Sequence, residues 1–331
     1  MNTPELHDSP GSSDSSQGTK ILKCNVISVT YNNAETIENL LNSLNANAAN
    51  IEKMVLVDNG STDATCTVVE SLQPNLKFSL EIIKSTNTGF AGGYRMAGAH
   101  ITDPTIPTLC VNPDVVLHFE AVPALLNTLH LWSTIGIATC PLIGLDGVED
   151  SASRRTLPKA GNSIVYALIG KLLPKSFRYN SKGPRSEGTV SLLPDGTEIS
   201  DIEATTGALM LVSPNFRRAN LDIFDTQYWM YGEDLQLCAD ARTEAFRVVM
   251  VETKPSFHLK GVSSGWPRSA QANRAFHEAM YIYFRKNMNP NWVTSFIVYV
   301  GIKVRQSSIE TVGNCVRVLR KLSLNRRSQL G

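Results

Sequence analysis

The feature that most constrains the fold is an alternation of short apolar runs and helical patterns in the first 120 residues. The apolar runs are rich in β-branched residues and lie at Cys24–Thr30, Lys53–Val57, Leu80–Lys84 and Thr108–Val111. Between the first two runs, apolar residues recur every three or four positions, which is typical of an amphipathic helix. Strands that alternate with helices in this way form parallel sheets. The sequence therefore predicts an α/β fold with a mostly parallel central sheet flanked by helices.

Each predicted strand is followed by polar or turn-forming residues. These residues are Tyr31–Asn32, Asp58–Asn59, Asn87–Gly89 and Asn112–Asp114. In open parallel sheets, ligands bind beyond the carboxyl ends of the strands. We therefore expect these residues to line one binding rim.

The charge balance argues against binding to nucleic acid. The chain has 31 Lys and Arg against 30 Asp and Glu, a net charge of +1, so it lacks the basic excess that displaces counterions from phosphates. Its six cysteines form no CxxC pair and several lie in apolar runs. We therefore expect reduced core thiols and a cytoplasmic location.

Four segments depart from the alternating pattern. Residues 1–19 are polar and acidic without Lys or Arg, which predicts a disordered tail. From Cys140 to Ser200, frequent Pro and Gly residues predict a long, partly mobile insertion. Near the C-terminus, the apolar stretch Trp292–Ile302 has 11 residues, fewer than the roughly 20 that span a bilayer. The next segment, Lys303–Arg327, holds seven Lys and Arg against Glu310 alone, which fits either a peripheral membrane helix or a solvated or oligomerising helix.

The glycine-rich segment does not match the common nucleotide-binding loops. Its glycines lie at positions 89, 92, 93 and 98, which does not fit the GxGxxG pattern, and the chain has no GxxxxGKS or GxxxxGKT sequence. A dinucleotide-binding dehydrogenase and a P-loop NTPase are therefore disfavoured. What remains is a rim of acids and amides suited to a nucleotide base and ribose.

The motifs of this chain follow one another in an order that resembles a known family. They are Val29–Asn32, Val57–Asp63, Asn87–Gly93, Asn112–Asp114, Gly207–Leu211, Phe224–Asp225 and Tyr231–Leu235, followed by His258, Ser263–Ser264 and Tyr281–Asn287. In their order and spacing, these motifs resemble those of the inverting GT-A glycosyltransferases of family 2. Within that family they resemble the rhamnosyltransferase-like group, which builds O-antigen and other bacterial cell-surface glycans. The resemblance covers about 80% of the chain.

The resemblance implies a GT-A fold, in which a Rossmann-like nucleotide-binding half joins an acceptor-binding half. We expect the tail at residues 1–19, the catalytic domain at 20–287 and a basic helical C-terminal extension at 288–331. Within the catalytic domain, residues 20–118 would form the nucleotide-binding half and residues 119–287 the acceptor-binding half.

The resemblance also implies a nucleotide-sugar site. Thr30, Tyr31 and Asp58 are expected to hold the pyrimidine and ribose, and the glycines are expected to let the backbone approach the donor. The full implied set is Thr30, Tyr31, Asn32, Asp58, Asn59, Asn87, Gly89, Phe90, Gly92, Gly93, Arg95, Asn112 and Asp114. The alternatives are a turn-forming role for Asp58 and a tight turn for the glycines. Asp63 is more typical of a helix start than of a ligand.

Asn112–Asp114 takes the place of the family's DxD motif, whose carboxylates bind the divalent cation of the sugar diphosphate. Because an amide replaces the first acid, Asp114 would supply the hard oxygen ligand, and His258 resembles the histidine that completes some of these metal sites. The implied cofactor is Mg²⁺ or Mn²⁺, bound mainly as a complex with the diphosphate. The alternatives are a strand-end cap for Asp114 and a structural histidine for His258.

Glu233–Asp234 resembles the family's ED motif. The resemblance assigns Asp234 as the base that takes the proton of the acceptor hydroxyl, with Glu233 contacting the acceptor or fixing the geometry. The alternative is a pair of acids that complements the helix dipole. Arg154, Arg155 and Trp229 are assigned to the acceptor or to phosphate, and a solvated loop is the alternative for the two arginines.

This sequence departs from the family pattern at a few positions. Arg95 stands where an amide is expected near the donor, which leaves the identity of the donor open. Asp222–Ile223 replaces a Gly-Gly pair, and Thr226 stands where an acid is common. Ala245 replaces a glycine that is expected between the helix and the next strand, which is a structural change.

The predicted function is transfer of a sugar with inversion from a nucleoside diphosphate donor to a hydroxyl of a glycan or lipid-linked acceptor. L-rhamnose from dTDP-L-rhamnose is the first donor, followed by UDP-galactofuranose, UDP-N-acetylglucosamine or another hexose. The expected location is the cytoplasm or the inner face of the cytoplasmic membrane, and a homo-oligomer stays open. One rival is a non-catalytic nucleotide-sugar-binding subunit of a glycan-assembly complex, suggested by Asn112 and Arg95. A nucleotidyltransferase is less favoured because Tyr31–Asn33 is not a basic, glycine-rich loop.

Overall fold

In the computed structural model, residues 21–158, 191–217, 222–259 and 269–328 are described, with residues 314–328 through their backbone alone. The predictions for the N-terminal tail, for the middle of the insertion after Cys140 and for Ser263–Ser264 fall outside these ranges.

The described part of the chain contains twelve strands. They are β1 (Cys24–Thr30), β2 (Ile51–Asp58), β3 (Ser79–Lys84), β4 (Thr108–Val111), β5 (Val115–Val116), β6 (Ile135–Thr139), β7 (Leu142–Ile143), β8 (Ser191–Leu192), β9 (Glu198–Asp201), β10 (Leu209–Val212), β11 (Arg247–Val251) and β12 (Ser256–His258). Nine of them form one sheet in the order β3-β2-β1-β4-β10-β6-β11-β9-β8. The first four are parallel, whereas β10 and β9 run antiparallel to both of their neighbours. The predicted α/β fold is confirmed, with a parallel N-terminal half and a mixed C-terminal half of the sheet.

The helices connect these strands across both faces of the sheet. They are α1 (Ile37–Ala46), α2 (Thr65–Leu72), α3 (Phe90–Gly98), α4 (Ala121–Leu131), α5 (Pro214–Arg217), α6 (Glu233–Thr243), α7 (Ala270–Met288) and α8 (Trp292–Ser328), with short 3₁₀ turns at Ala48–Asn50 and Gln73–Asn75. Asp63 accepts hydrogen bonds from the backbone N–H and the hydroxyl of Thr65, so it lies at the start of α2 as expected.

The sheet is buried on both faces, which explains why its strands are continuous apolar runs. Every residue of β1 is buried. Cys24 and Val26 pack with α1, α2 and α4 on one face, whereas Ile27 and Val29 pack with α3, α6 and α7 on the other. Four of the described cysteines are buried and none of the described ones forms a disulfide, which confirms the expected core thiols.

A small three-stranded sheet lies beside the main one and contributes to the candidate site. In it, β12 pairs antiparallel with β5 and parallel with β7. His258 lies opposite Val115, the residue after Asp114. The backbone N–H of Asp150 donates to the carbonyl oxygen of Leu142 in β7, at 2.7 Å. The small sheet therefore brings together residues that are far apart in the sequence.

The C-terminal helices form an antiparallel hairpin. α7 begins at the Ser269 cap, whose hydroxyl accepts from the N–H of Ala272, and α8 packs on it through Met280, Phe284, Val298 and Ile302. No helix in the described residues is long and apolar enough to cross a membrane.

Candidate active site

The ends of β1 and β2 form the first part of the rim. Thr30 and Asp58 are both buried and lie opposite each other in neighbouring strands. The Asp58 carboxylate accepts from the backbone N–H of Ser61, with distances of 3.2 and 3.3 Å to its two oxygens. The turn-forming alternative for Asp58 therefore describes its contacts in this structure, and the carboxylate still lies at the carboxyl end of its strand.

Tyr31 and Asn32 occupy the loop after β1. The ring of Tyr31 is exposed, whereas the side chain of Asn32 ties two loops together. Asn32 has a φ of 55°, and its amide oxygen accepts from the N–H of Thr62 at 2.8 Å. Tyr31 is therefore open to a ligand, and Asn32 holds the loop that presents it.

A network of amides joins β2 to the glycine-rich turn. The Asn59 side chain donates to the carbonyl oxygen of Gly89 at 2.9 Å and accepts from the N–H of Thr88 at 3.0 Å. The Asn87 side chain accepts from the N–H of Gly89 at 3.0 Å. Asn59 and Asn87 therefore shape the turn by hydrogen bonds within the protein.

The glycines of this turn are required by contacts inside the protein. Gly89 has a φ of 82°, and a Cβ there would lie 2.3 Å from the carbonyl oxygen of Trp229. A Cβ at Gly93 would lie 2.6 Å from a methyl group of Val29, and one at Gly92 would lie 2.8 Å from the hydroxyl of Thr88. The atoms that approach these glycines are the protein's own. The tight-turn alternative fits Gly89, whereas Gly92 and Gly93 lie in α3, where they allow close packing.

Phe90 and Trp229 join the two halves of the rim. The Phe90 ring lies 4.8 Å from the Tyr94 ring and 5.6 Å from the Phe224 ring, between centroids. The N–H of Phe90 donates to the carbonyl oxygen of Trp229 at 2.7 Å. Trp229 therefore sits on the turn at Gly89, and Phe90 is packed in an aromatic cluster.

Arg95 does not join the rim. It lies in α3, its guanidinium is 3.6 Å from the Asp222 carboxylate, and it lines a shallow groove of about 730 Å³ together with Gly98 and Arg217. Arg217 reaches Thr108 at the amino end of β4, so this groove is on the side of the sheet away from the strand carboxyl ends. In this structure two departures from the family pattern, Arg95 and Asp222, therefore lie beside each other, and the assignment of Arg95 to the donor stays a prediction.

The candidate metal position lies after β4. The Nε2 atom of His258 is 3.4 Å from Asp114 Oδ1, and both side chains are about one-tenth exposed. The amide oxygen of Asn112 is buried and has no hydrogen-bond partner among the described residues. No group of three or more His, Cys, Asp or Glu side chains in the described ranges is arranged to hold a metal. A carboxylate, an imidazole and an orphaned amide oxygen fit a Mg²⁺ or Mn²⁺ ion whose other ligands come from a diphosphate.

Asp150 is a site residue that the sequence reasoning missed. Its carboxylate is 2.8 Å from His258 Nδ1, so the histidine lies between two carboxylates. Burial lowers the pKa of His258, but its hydrogen bonds to the Asp114 and Asp150 carboxylates and their negative charges outweigh this effect and raise the pKa to about 9. The available signal was the acidic pair Glu149–Asp150 shortly before the basic pair Arg154–Arg155.

Glu233 and Asp234 begin α6 behind a strained turn. Tyr231 has a φ of 70° and Gly232 a φ of 80°, so two successive residues adopt left-handed conformations. This conformation is costly for a bulky residue such as Tyr, and it turns the chain so that both acids point into the protein. Both are less than one-tenth exposed.

Glu233 and Asp234 have different surroundings. Asp234 Oδ2 accepts from the Arg155 guanidinium at 2.5 Å and from the N–H of Gly207 at 3.1 Å, and Oδ1 accepts from the N–H of Leu235 at 2.7 Å. Glu233 Oε2 has no hydrogen-bond partner among the described residues. Burial, with the neighbouring Asp234 charge, raises the pKa of Glu233 to about 8.

The two arginines differ from the sequence-based expectation. Arg154 is buried, donates to the Glu252 carboxylate at 2.7 Å and to the Ser200 hydroxyl at 3.2 Å, and does not reach the rim. Arg155 is buried against Asp234 and also donates to the carbonyl oxygen of Thr205. The solvated-loop alternative is therefore wrong for both, and the structure does not bring the Arg154 side chain to the rim where acceptor or phosphate is expected.

Comparisons with known proteins agree on one family and one fold. The Glycosyl transferase family 2 profile matches residues 25–189. The N-acetylglucosaminyl-diphospho-decaprenol L-rhamnosyltransferase of Mycobacterium tuberculosis is 27% identical over 280 residues, which cover 81% of this chain and 85% of that protein.

Two solved structures share the fold. The mannosyltransferase PcManGT of Pyrobaculum calidifontis, in complex with GDP-Man and Mn²⁺, has a TM-score of 0.50 at 14% identity, over 95% of this chain and 82% of that chain. Residues 1–349 of S. aureus TarS, in complex with UDP-GlcNAc, have a TM-score of 0.50 at 18% identity, over 87% and 73% of the two chains.

Proposed function

The chain belongs to glycosyl transferase family 2 and is therefore a transferase, as the order of its motifs predicted, and we propose that it transfers L-rhamnose from dTDP-L-rhamnose with inversion. The name of the mycobacterial relative supports this sugar and a lipid-linked glycan as acceptor. UDP-galactofuranose, UDP-N-acetylglucosamine and other hexose donors are the alternatives. Because the family is catalytic, a binding subunit without activity is not favoured.

One observation carries the proposal. The residues Gly207 and Ala208, just before β10, contact both candidate centres: the N–H of Gly207 donates to Asp234, and the carbonyl oxygen of Ala208 accepts from the N–H of Asn112 at 2.9 Å. A base and a diphosphate-binding position are therefore linked through two adjacent residues. Transfer by a single displacement requires these two centres on opposite sides of one anomeric carbon.

The proposed base is Asp234. A carboxylate offers about four lone-pair sites, and Oδ2 is engaged by two donors while Oδ1 is engaged by one. Oδ1 is therefore the oxygen that takes the acceptor proton. The acceptor oxygen bonds to the anomeric carbon as the bond to the diphosphate breaks, and the bonding electrons leave with the diphosphate. One displacement inverts the configuration.

Asp114 and His258 would hold the divalent cation. The buried amide oxygen of Asn112, two residues before Asp114, would be a further ligand. The ion supplies positive charge that stabilises the leaving diphosphate. In this proposal, residues 20–118 bind the donor and residues 119–287 bind the acceptor. Thr30, Tyr31 and Asp58 contact the pyrimidine and ribose.

A thermal-shift panel tests the donor. The purified chain is mixed with dTDP-, UDP- and GDP-sugars, with and without Mg²⁺ or Mn²⁺, and nucleotide release is followed in the wild type and in Asp234→Asn. We expect dTDP-L-rhamnose with metal to raise the transition temperature most, and release only in the wild type. A larger shift with a UDP-sugar reassigns the donor, and no shift with any nucleotide sugar contradicts the proposal.

We extend the proposal to peripheral contact with an anionic membrane through α8. Its apolar face comprises Trp292, Val293, Phe296, Ile297, Tyr299, Val300 and Val304, all more than two-fifths exposed. The sequence continues with Arg317, Arg320, Lys321, Arg326 and Arg327. Exposed aromatic and aliphatic side chains followed by cations are typical of helices that bind anionic lipid. A lipid-linked acceptor is presented at such a surface.

Vesicle flotation tests this contact. The double variant Trp292→Ser with Phe296→Ser is expected to lose binding to vesicles that contain phosphatidylglycerol. Leu145→Ser is the control, because Leu145 is 78% exposed in a different part of the molecule. Equal flotation of the double variant and the wild type contradicts the membrane contact. If the wild type and Leu145→Ser are dimers and the double variant is a monomer, this face binds a second copy of the chain instead of a membrane.

A further inference from the structure

One short segment contacts both candidate centres. Residues 149–155 follow β7, and two of their side chains reach acids or bases of the site. The Asp150 carboxylate is 2.8 Å from Nδ1 of His258, and the Arg155 guanidinium is 2.5 Å from Oδ2 of Asp234. The partners are separated by 108 and 79 positions in the sequence, so only the fold brings them together.

The segment is firmly tied to the loop before β10. Arg155 and Ala204 exchange two backbone hydrogen bonds, at 2.9 and 3.0 Å. The hydroxyl of Thr205 donates to the carbonyl oxygen of Ser153 at 2.8 Å, and both the N–H and the hydroxyl of Ser153 donate to the carbonyl oxygen of Asp150. The same loop continues to Gly207, which donates to Asp234. The backbone around Asp150 and Arg155 is therefore fixed.

Arg155 controls the orientation of the Asp234 carboxylate. A guanidinium holds its donors in a rigid plane, so its bond to Oδ2 restricts rotation of the carboxylate more than a lysine ammonium would. Because the pair is buried, the positive charge also favours the ionised carboxylate that a base needs.

Asp150 has the corresponding effect on His258. A carboxylate on one ring nitrogen fixes the proton there and turns the other nitrogen toward its partner. With Nδ1 bonded to Asp150, Nε2 is the nitrogen that faces Asp114. Histidines that bind metals are usually oriented in this way by a second carboxylate.

We infer that residues 149–155 are a positioning segment for the transfer reaction, in which Arg155 orients the base Asp234 and Asp150 orients His258. This inference rests on the proposed function. Neither residue contacts the reacting atoms in it, and each acts through the side chain that it holds.

Arg154 provides a matched control for Arg155. It lies in the same segment and is equally buried, but its guanidinium bonds Glu252 and Ser200 and not Asp234. Arg154→Met and Arg155→Met therefore remove the same kind of buried charge from adjacent positions. Asp146→Asn is the control for Asp150→Asn, because within the described residues the Asp146 carboxylate accepts from the N–H of Val148 in the neighbouring turn and not from a site residue.

The experiment compares kcat, the donor KM and the transition temperature of the full chain and its variants. We expect Arg155→Met to lower kcat about a hundredfold with little change in KM, Arg155→Lys to lower it less, and added guanidinium ion to restore part of the Arg155→Met activity. Arg154→Met should lose thermal stability but keep kcat. Equal losses of kcat in the two Met variants, without rescue, overturn the role of Arg155.

The role of Asp150 is tested by binding and not by turnover. Mn²⁺ is titrated into each protein with dTDP and its bound fraction is followed by electron paramagnetic resonance. Asp150→Asn is expected to weaken Mn²⁺ binding about tenfold or more, and Asp146→Asn to leave it unchanged. Unchanged binding in Asp150→Asn overturns this role. Full turnover in Asp234→Asn is a separate result, because it contradicts the proposed function itself.

Discussion

The two sides of the candidate site are built from different chemistry. On the proposed donor side, after β1, β2 and β3, most hydrogen bonds join neutral amides and backbone groups: Asn32 and Asn87 are exposed and Asn59 is buried. Its one buried carboxylate among these groups, Asp58, accepts from the backbone N–H of Ser61. On the acceptor side, Glu233, Asp234 and Arg155 are charged or titratable groups that are almost fully buried. A hydrogen-bonded turn mainly fixes shape, whereas a buried charge changes reactivity because low dielectric strengthens electrostatic interactions. We therefore expect substitutions on the donor side to act on folding, and those on the acceptor side to act on turnover and pH dependence.

The largest effect is expected at the base. Asp234→Asn keeps the shape of the side chain but cannot accept the acceptor proton, so kcat should fall about a thousandfold. Because it also leaves the buried Arg155 guanidinium without its counter-charge, the transition temperature should fall as well. Steady-state nucleotide release, followed below the transition temperature of the variant, measures kcat. Asp240→Asn, on the same helix and bonded to Gln236, is the control and should retain turnover. Comparable activity in the two variants would remove the catalytic role from the acceptor side.

A substitution in the glycine turn tests the donor side. Gly89→Ala places a Cβ against the carbonyl oxygen of Trp229 at a φ of 82°, so the free energy of unfolding should fall by about 3 kcal/mol. Urea denaturation measures the change. Gly98→Ala is the control, because the nearest atom that its Cβ would meet among the described residues is in the Arg217 guanidinium, at 4.0 Å. If both variants are equally stable, the close approach of the two halves at Gly89 is wrong.

The pH dependence of stability distinguishes Glu233 from an exposed acid. Because burial raises its pKa from the ordinary 4.5 to about 8, the unfolded chain ionises first as the pH rises, and the folded state loses stability between these values. Glu233→Gln removes this loss, so its stability advantage over the wild type should be absent at pH 4 and grow to a plateau above pH 8. Thermal unfolding across this range measures it. If the difference in stability between the two proteins is the same at every pH, the pKa of the buried Glu233 carboxyl is not raised.

The smallest effect is expected at Ala245, where the family pattern predicted glycine. Ala245 has a φ of 62°, a conformation that costs an L-residue about 1 kcal/mol. Ala245→Gly should therefore stabilise the protein by about 1 kcal/mol or less, measured by urea denaturation. Ala239→Gly, in the interior of α6, should instead destabilise it by a similar amount. Turnover should be unchanged in Ala245→Gly, because this turn does not contribute to the reaction centre.

Much of the fold could be predicted because its signals are local. The bounds of β1 and β4 agree with the predicted apolar runs, since strands buried on both faces are continuous apolar runs. The polar residues after the strands also lie at one rim, as parallel strands require. The mixed pairing around β10 was not predictable, because nothing in a four-residue apolar run specifies the direction of its neighbour.

The residues of the site divide in the same way. The sequence by itself determined the α/β order and the polar strand ends, and it singled out the acids Asp114, Glu233 and Asp234 as candidates. Each of these features can be recognised from a short run of neighbouring residues. It did not determine that Arg95 pairs with Asp222 away from the rim, that Arg154 is held by Glu252, or that Arg155 reaches Asp234. Only the tertiary structure decided these partners, because folding brings distant segments together. For Arg154 and Arg155 the reason is stronger, since a buried charge is stable only beside a counter-charge within hydrogen-bond distance.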